Sequence, residues 1–275
     1  MLGALIIVFR EAIEAGLIVG IVLAVTRGLA HSRTYILAGI GIGVGGALLV
    51  ALFADALSKS FSGNGQELFN ASILALAVIM LAWHNIWMSQ HGRELSQQLS
   101  NVGRAVANGE RTLLALASVV GLAILREGSE VALFLYGVIA SGETGYDVFF
   151  GGLMGLVLGA AVSFVTFYGL VKIPPRSLFV VTSWLITFLA AGLAAQSVAF
   201  LQQAGVVTML TETLWDTSWV LSDKTILGRV LHTLIGYSDQ PSLLQGVVYL
   251  LTLILIYTAT KFTAARPKFQ PRLSP

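Results

Sequence analysis

Charge is what this chain has least of. Asp, Glu, Lys and Arg together make up 11 % of its 275 residues, where a soluble domain carries about 25 %. That shortage excludes a water-soluble globule. Hydrophobic residues reach 56 % and mean hydropathy is +0.84. Disorder is therefore excluded as well, because disordered chains combine low hydrophobicity with high charge. Cysteine is absent, which removes disulfides, thiolate metal sites, iron–sulfur clusters and thiol nucleophiles. Gly-rich phosphate loops, H-E-x-x-H and G-x-S-x-G are missing too. No enzymatic activity and no resident cofactor are expected, and nothing points to nucleic acid.

What is present in quantity is apolar helix. A helix crosses a bilayer with about 20 mostly apolar residues. Seven segments meet that requirement, at roughly 2–26, 35–57, 68–89, 113–140, 148–171, 177–203 and 243–261. The expected class is an all-α polytopic membrane protein of seven transmembrane helices, embedded in lipid as a single domain over 1–275. The N-terminus does not read as a signal peptide, since Arg10, Glu11 and Glu14 interrupt what would be its apolar region.

Basic residues in short loops set orientation. Eleven fall on one side: Arg27, Arg33, Arg93, Arg104, Arg111, Lys172, Arg176, Lys261, Arg266, Lys268 and Arg272. The other side has Lys59, Lys224 and Arg229. The sequence thus predicts an N-terminus outside and a C-terminus in the cytoplasm. On this division the net charge of +2 separates into +9 on the cytoplasmic side, −5 outside and −2 within the membrane. An acidic outer face attracts cations.

The charges inside the membrane form two matching motifs. Arg10-Glu11-Ala12-Ile13-Glu14 lies in the first span, and Arg126-Glu127-Gly128-Ser129-Glu130 lies in the fourth, 116 residues on. The same offset carries the second span onto the fifth and the third onto the sixth. It also places Gly39 and Gly43 on Gly155 and Gly159. These small residues are expected to let helices approach closely. The reading is a duplicated three-helix unit, about 1–89 and 113–205. The two units are joined by a polar linker at about 90–112. An outer loop (206–242), a seventh helix (243–261) and a basic tail (262–275) follow. Three spans per unit is an odd number, so the two units are inverted in the membrane, a plan that places transport sites near the midplane.

At 100° per residue, the two carboxylates of each motif lie about 60° apart on one helix face. Arg10 and Glu14, like Arg126 and Glu130, are i,i+4 neighbours able to pair. Each intramembrane charge costs at least about 2.5–3.5 kcal/mol on insertion scales. Pairs that only hold helices together would account for four of the six charges and leave Glu11 and Glu127 over. Bringing both motifs to one volume instead gathers Glu11, Glu14, Glu127 and Glu130, oxygen ligands suited to a hard cation. Arg10 and Arg126 then supply supporting positive charge. A competing reading is a proton-coupled carrier of another cation or solute, with the same glutamates as relay.

Two R-E-x-x-E motifs in helices 1 and 4 of a seven-helix chain resemble the oxidase-dependent iron permease family. Leu214-Trp215-Asp216-Thr217-Ser218, Gly228-Arg229-Val230-Leu231-His232 and Gly236-Tyr237 resemble its bacterial branch. The resemblance implies iron uptake across the cytoplasmic membrane, with iron as substrate. It makes Glu11, Glu14, Glu127 and Glu130 the iron pathway, with Arg10 and Arg126 beside them. It also implies a periplasmic or extracellular partner that oxidises or delivers iron.

Other residues carry weaker signals. His84 and His91 are seven apart and share a face. Imidazole can bind iron, but a hydrogen-bonded helix histidine and an interfacial one are the preferred readings. Trp83 and Trp87 read as an interfacial belt. The long segment 204–242, with Trp215 and Trp219 at helical spacing, is read equally well as an amphipathic surface helix or as a solvated loop. Asp55, Glu67, Glu212, Asp216 and Asp223 are candidates for an entrance or for partner docking.

Overall fold

The computed structural model describes residues 1–60, 66–168, 175–223 and 225–264, and these are helical apart from their connections and one isolated bridge between Thr213 and Ser242. The helices are α1 (Leu2–Val25), α2 (Ser32–Ser60), α3 (Gln66–Ala107), α4 (Leu114–Ala140), α5 (Gly145–Phe167), α6 (Pro175–Gln203), α7 (Ile226–Ile235) and α8 (Leu243–Ala264). Five contain stretches long and apolar enough to cross a membrane: Ser32–Ala54, Gln66–Met88, Gly145–Phe167, Val180–Gln203 and Leu243–Phe262. α1 and α4 are as long, and differ in carrying three charges each. The chain is a multi-pass membrane protein.

Packing follows from where small and polar residues interrupt the apolar surface. α1 and α4 touch and form the centre. α5 lies along α1, and α2 lies along α4. At both crossings glycine removes the side chain that would hold the backbones apart. A Cβ on Gly43 would stand 2.7 Å from the Gly121 carbonyl oxygen, and one on Gly155 would stand 2.5 Å from that of Leu5. Gly121 and Leu5 are 116 residues apart, so in contact terms the counterpart of Gly43 is Gly155. The offset of 116 in the sequence pairs Gly43 with Gly159, one turn further along.

α3 and α6 pack on each other through polar links as well as apolar ones. Asn85 Nδ2 donates to Thr187 Oγ1 at 3.0 Å, and Ser197 Oγ donates to the Ala71 carbonyl at 2.7 Å. Such bonds between membrane helices are worth about 0.6 kcal/mol each on average. α8 closes the far side of α6. The outward faces of α2, α5 and α8 expose Leu48, Phe53, Phe149, Leu156, Leu250 and Ile254, as lipid contact requires.

Two segments differ from the sequence reading. Residues 90–107, expected as part of a linker, continue α3 as helix. Their apolar positions, Leu99 and Val106, are buried with Ile18, Val22, Leu116 and Val120, so tertiary packing holds helix where polarity suggested a connection. In the 204–242 segment the helix is α7, not the stretch around Trp215 and Trp219. The latter is turns and extended chain pinned by Leu214 N–H to Pro241 O and Thr217 N–H to Asp239 O. α7 begins with Thr225 Oγ1 capping Gly228 N–H and ends at Gly236, whose φ of +69° suits the left-handed cap. The loop residues 169–174, the tail from 265 and the side chains of Asp55, His91, Arg93 and Arg229 lie outside the described residues.

Candidate functional site

Both charged motifs face the same interior volume. On α1, Arg10 Nε lies 3.0 Å from Glu14 Oε1, and its Nη1 lies 3.6 Å from Glu11 Oε1. All three residues are buried. On α4, Arg126 Nε donates to Glu130 Oε1, also at 3.0 Å. The i,i+4 pairing expected from the spacing is therefore present in both helices. Glu11 and Glu127 are the remaining pair: the oxygens of both are buried without a hydrogen bond of ordinary geometry, and Glu11 has the longer approach of Arg10.

The residue that joins the two motifs comes from α3. His84 Nε2 lies 3.5 Å from Glu14 Oε2 and 3.8 Å from Glu11 Oε2, and its Nδ1 contacts Glu130. One ligand atom each from Glu11, His84, Glu127 and Glu130 fits within a span of 4.8 Å. The sequence favours a structural role for His84 over a ligand role. Seven-residue spacing to His91 gave no hint of what α3 would face, and the signal available was its position opposite the charged turns of α1 and α4. Trp87 also departs from its reading as an interfacial belt. Its ring lies under the Arg126 guanidinium, 4.3 Å from centroid to Cζ, while Trp83 is exposed.

Two cavities approach this cluster from opposite ends. One, of about 310 Å³, opens where α1 begins and is lined by Gly3, Val138, Asp147, Leu193, Asp223 and His232 among others. It stops about two helical turns short of the motifs. Ile7, Phe134 and Ile186, fully buried in one apolar cluster, fill that distance. The other, of about 290 Å³, is lined by Ile18, Gln98, Val102, Leu122, Arg126 and Glu127 and so reaches the cluster itself.

The acidic entrance candidates are dispersed. Glu67 is exposed in the first turn of α3. Glu212 and Asp216 are exposed in the segment before α7. Asp216 accepts from Ser218 N–H and Oγ and from Gln240, and these bonds hold its carboxyl below the usual range. Of these candidates Asp223 lines the first cavity, alongside Glu143 and Asp147. Partial burial, together with Asp239 nearby, pushes its carboxyl up. In the same cavity His232 Nδ1 bonds to the Tyr237 carbonyl oxygen at 2.7 Å.

The iron permease FTR1 family model matches residues 1–264. Ferrous iron permease EfeU of Escherichia coli O6:K15:H31 (strain 536 / UPEC) is 30 % identical over 252 residues, covering 90 % of this chain and 91 % of that protein. The protein of the same name from Yersinia pestis is 29 % identical over 252 residues, covering 90 % and 89 %. No solved structure matches the chain.

Proposed function

Because the chain belongs to the iron permease FTR1 family, we propose that it moves ferrous iron inward across the cytoplasmic membrane along the glutamates of α1 and α4. The observation that carries this reading is the convergence of Glu11, Glu127 and Glu130 within reach of one ion, in helices whose only charges are the two motifs. Glu14 belongs to the same pathway, paired with Arg10. Arg10 and Arg126 hold the empty site against its own negative charge. The ferrous state is taken from the names of the relatives.

In this reading α1–α6 and α8 span the membrane and α7 lies at the outer face. α1–α3 and α4–α6 are the two inverted units of one permease domain. The partner exchange supports this, since α1 packs on α5 as α4 packs on α2. The N-terminus is outside and the C-terminus cytoplasmic, following the basic loops. Iron enters the first cavity, past Asp223 and Asp147. Glu212 and Asp216, exposed in the segment before α7, offer a docking surface to a protein that oxidises or delivers iron. Ile7, Phe134 and Ile186 then form a closed outer seal, and the second cavity is the cytoplasmic exit. The conformation is inward-facing. An inside-negative membrane potential favours entry of a dication by about 4.6 kcal/mol per 100 mV.

The test is radiolabelled iron uptake into proteoliposomes. Glu11→Gln combined with Glu127→Gln is expected to abolish it. Uptake at the unmodified rate in well-folded protein overturns the proposal.

A further inference from the structure

Resting on that reading of the site, we propose that His84 supplies a nitrogen ligand to the transported ion. It would thereby set the selectivity of the permease for first-row transition-metal dications over Ca²⁺ and Mg²⁺. The R-E-x-x-E motifs by themselves offer only carboxylate oxygens, and carboxylate sites suit Mg²⁺, Ca²⁺ and Mn²⁺. An imidazole nitrogen changes that preference, because nitrogen ligands favour iron, copper, nickel and zinc.

The surroundings of His84 are those of a ligand rather than of a packing residue. It is buried, yet both ring nitrogens face carboxylates and neither has a hydrogen bond of ordinary geometry. The next residue shows the contrast. Asn85 is buried on the same helix and uses its amide to bond α6 at Thr187 and Ser183. His84 makes no such link among the described residues. Its ring lies between the motifs, Nε2 toward Glu11 and Glu14 and Nδ1 on Glu130. A metal-binding imidazole is normally fixed by a carboxylate or carbonyl on its other nitrogen, and this arrangement provides one on either side.

The dimensions suit one ion. Ligand bonds of about 2.0–2.2 Å separate ligand atoms by at most about 4.4 Å. The 4.8 Å span of Glu11, His84, Glu127 and Glu130 therefore closes with small side-chain adjustments. Glu14 stays outside this set, on Arg10. The two motifs thus contribute unequally, with one glutamate from α1 and two from α4, and the nitrogen of α3 fills the fourth place.

Full-length protein reconstituted in proteoliposomes tests this with Fe²⁺ uptake under anaerobic conditions, in competition with Co²⁺ or Ca²⁺. In the unmodified protein Co²⁺ is expected to compete far better than Ca²⁺. His84→Asn is expected to narrow that ratio by at least about tenfold. X-ray absorption at the iron edge of the loaded protein gives a second readout that does not depend on transport. Imidazole scattering is expected in the unmodified protein and not in the variant. Discrimination that survives in His84→Asn, or an oxygen-only iron shell in the unmodified protein, overturns the proposal. Should His84→Asn fail to fold, the spectrum of the unmodified protein decides alone. Failure of the underlying site reading looks different, since iron uptake would then persist in Glu11→Gln with Glu127→Gln.

Discussion

Arg10 and Arg126 hold the same place in their motifs and form an ion pair with the glutamate four residues on at the same 3.0 Å, yet the Arg10 side chain is 2 % exposed and that of Arg126 37 %. Arg10 is enclosed by carboxylates. Arg126 shares a wall with the second cavity and rests on Trp87. Two equal sequence motifs are thus placed in unequal surroundings, and the difference has measurable results.

Breaking the first pair costs more than breaking the second. Glu14→Ala leaves a buried guanidinium short of its partner, a change worth about 3–5 kcal/mol where no water reaches. Glu130→Ala leaves Arg126 with cavity solvent and Trp87. Thermal unfolding in detergent is expected to show the larger loss for Glu14→Ala. Equal losses would count against the difference in burial.

Trp87→Leu removes the ring beneath Arg126 and keeps most of the apolar volume. Cation–π contacts contribute about 0.5–2 kcal/mol. A loss of stability in that range is expected, and Arg126→Gln in the Trp87→Leu background is expected to cost less than Arg126→Gln alone. A double-mutant cycle with zero coupling would refute the contact.

Gly43→Leu and Gly155→Leu are expected to prevent close packing of α2 on α4 and of α5 on α1. Each new Cβ would meet a backbone carbonyl, which cannot rotate away as a side chain can. Gly41, at which a Cβ meets open space, is the control. Gly41→Leu should behave as the unmodified protein on size-exclusion chromatography while the other two aggregate.

The segment before α7 responds to pH through two aspartates whose carboxyls are shifted in opposite directions. Asp216 titrates below its ordinary range when folded. Its contribution is present above the unfolded carboxylate range and is lost as pH falls through the folded value. Asp223 titrates above its ordinary range, so its charge opposes folding at neutral pH and ceases to do so in acid. Asp223→Asn is therefore expected to raise the melting temperature at pH 7, with the gain vanishing toward pH 4. A gain that persists unchanged at pH 4 would show that charge is not the cause.

Much of this was legible because membrane insertion makes charge informative. The two motifs stood out among long apolar runs, and their i,i+4 pairs formed as the helical period requires. The helices α2, α5, α6 and α8 were evident for the same reason. What escaped notice was decided by contact between distant segments. The run 90–107 is polar enough to read as a linker, and it is helical because Leu99 and Val106 bury against α1 and α4. Trp215 and Trp219 have helical spacing, but cross-links to residues 239–241 hold their backbone in turns. His84 could not be assigned from its own helix, since its partners lie on α1 and α4.

α3 is long enough to have a mechanical consequence. Its 42 residues extend about 63 Å at 1.5 Å per residue, twice the roughly 30 Å of the hydrocarbon layer. Asn85, bonded to α6, is one residue from His84, while Arg104 lies about 28 Å further along the rod. Any tilt of α3 about Asn85 would be larger at the tip near Arg104 than at the imidazole, and Leu99 and Val106, packed against α1 and α4, would carry it into those helices. A probe at Arg104 would therefore register such a tilt more strongly than one at His84.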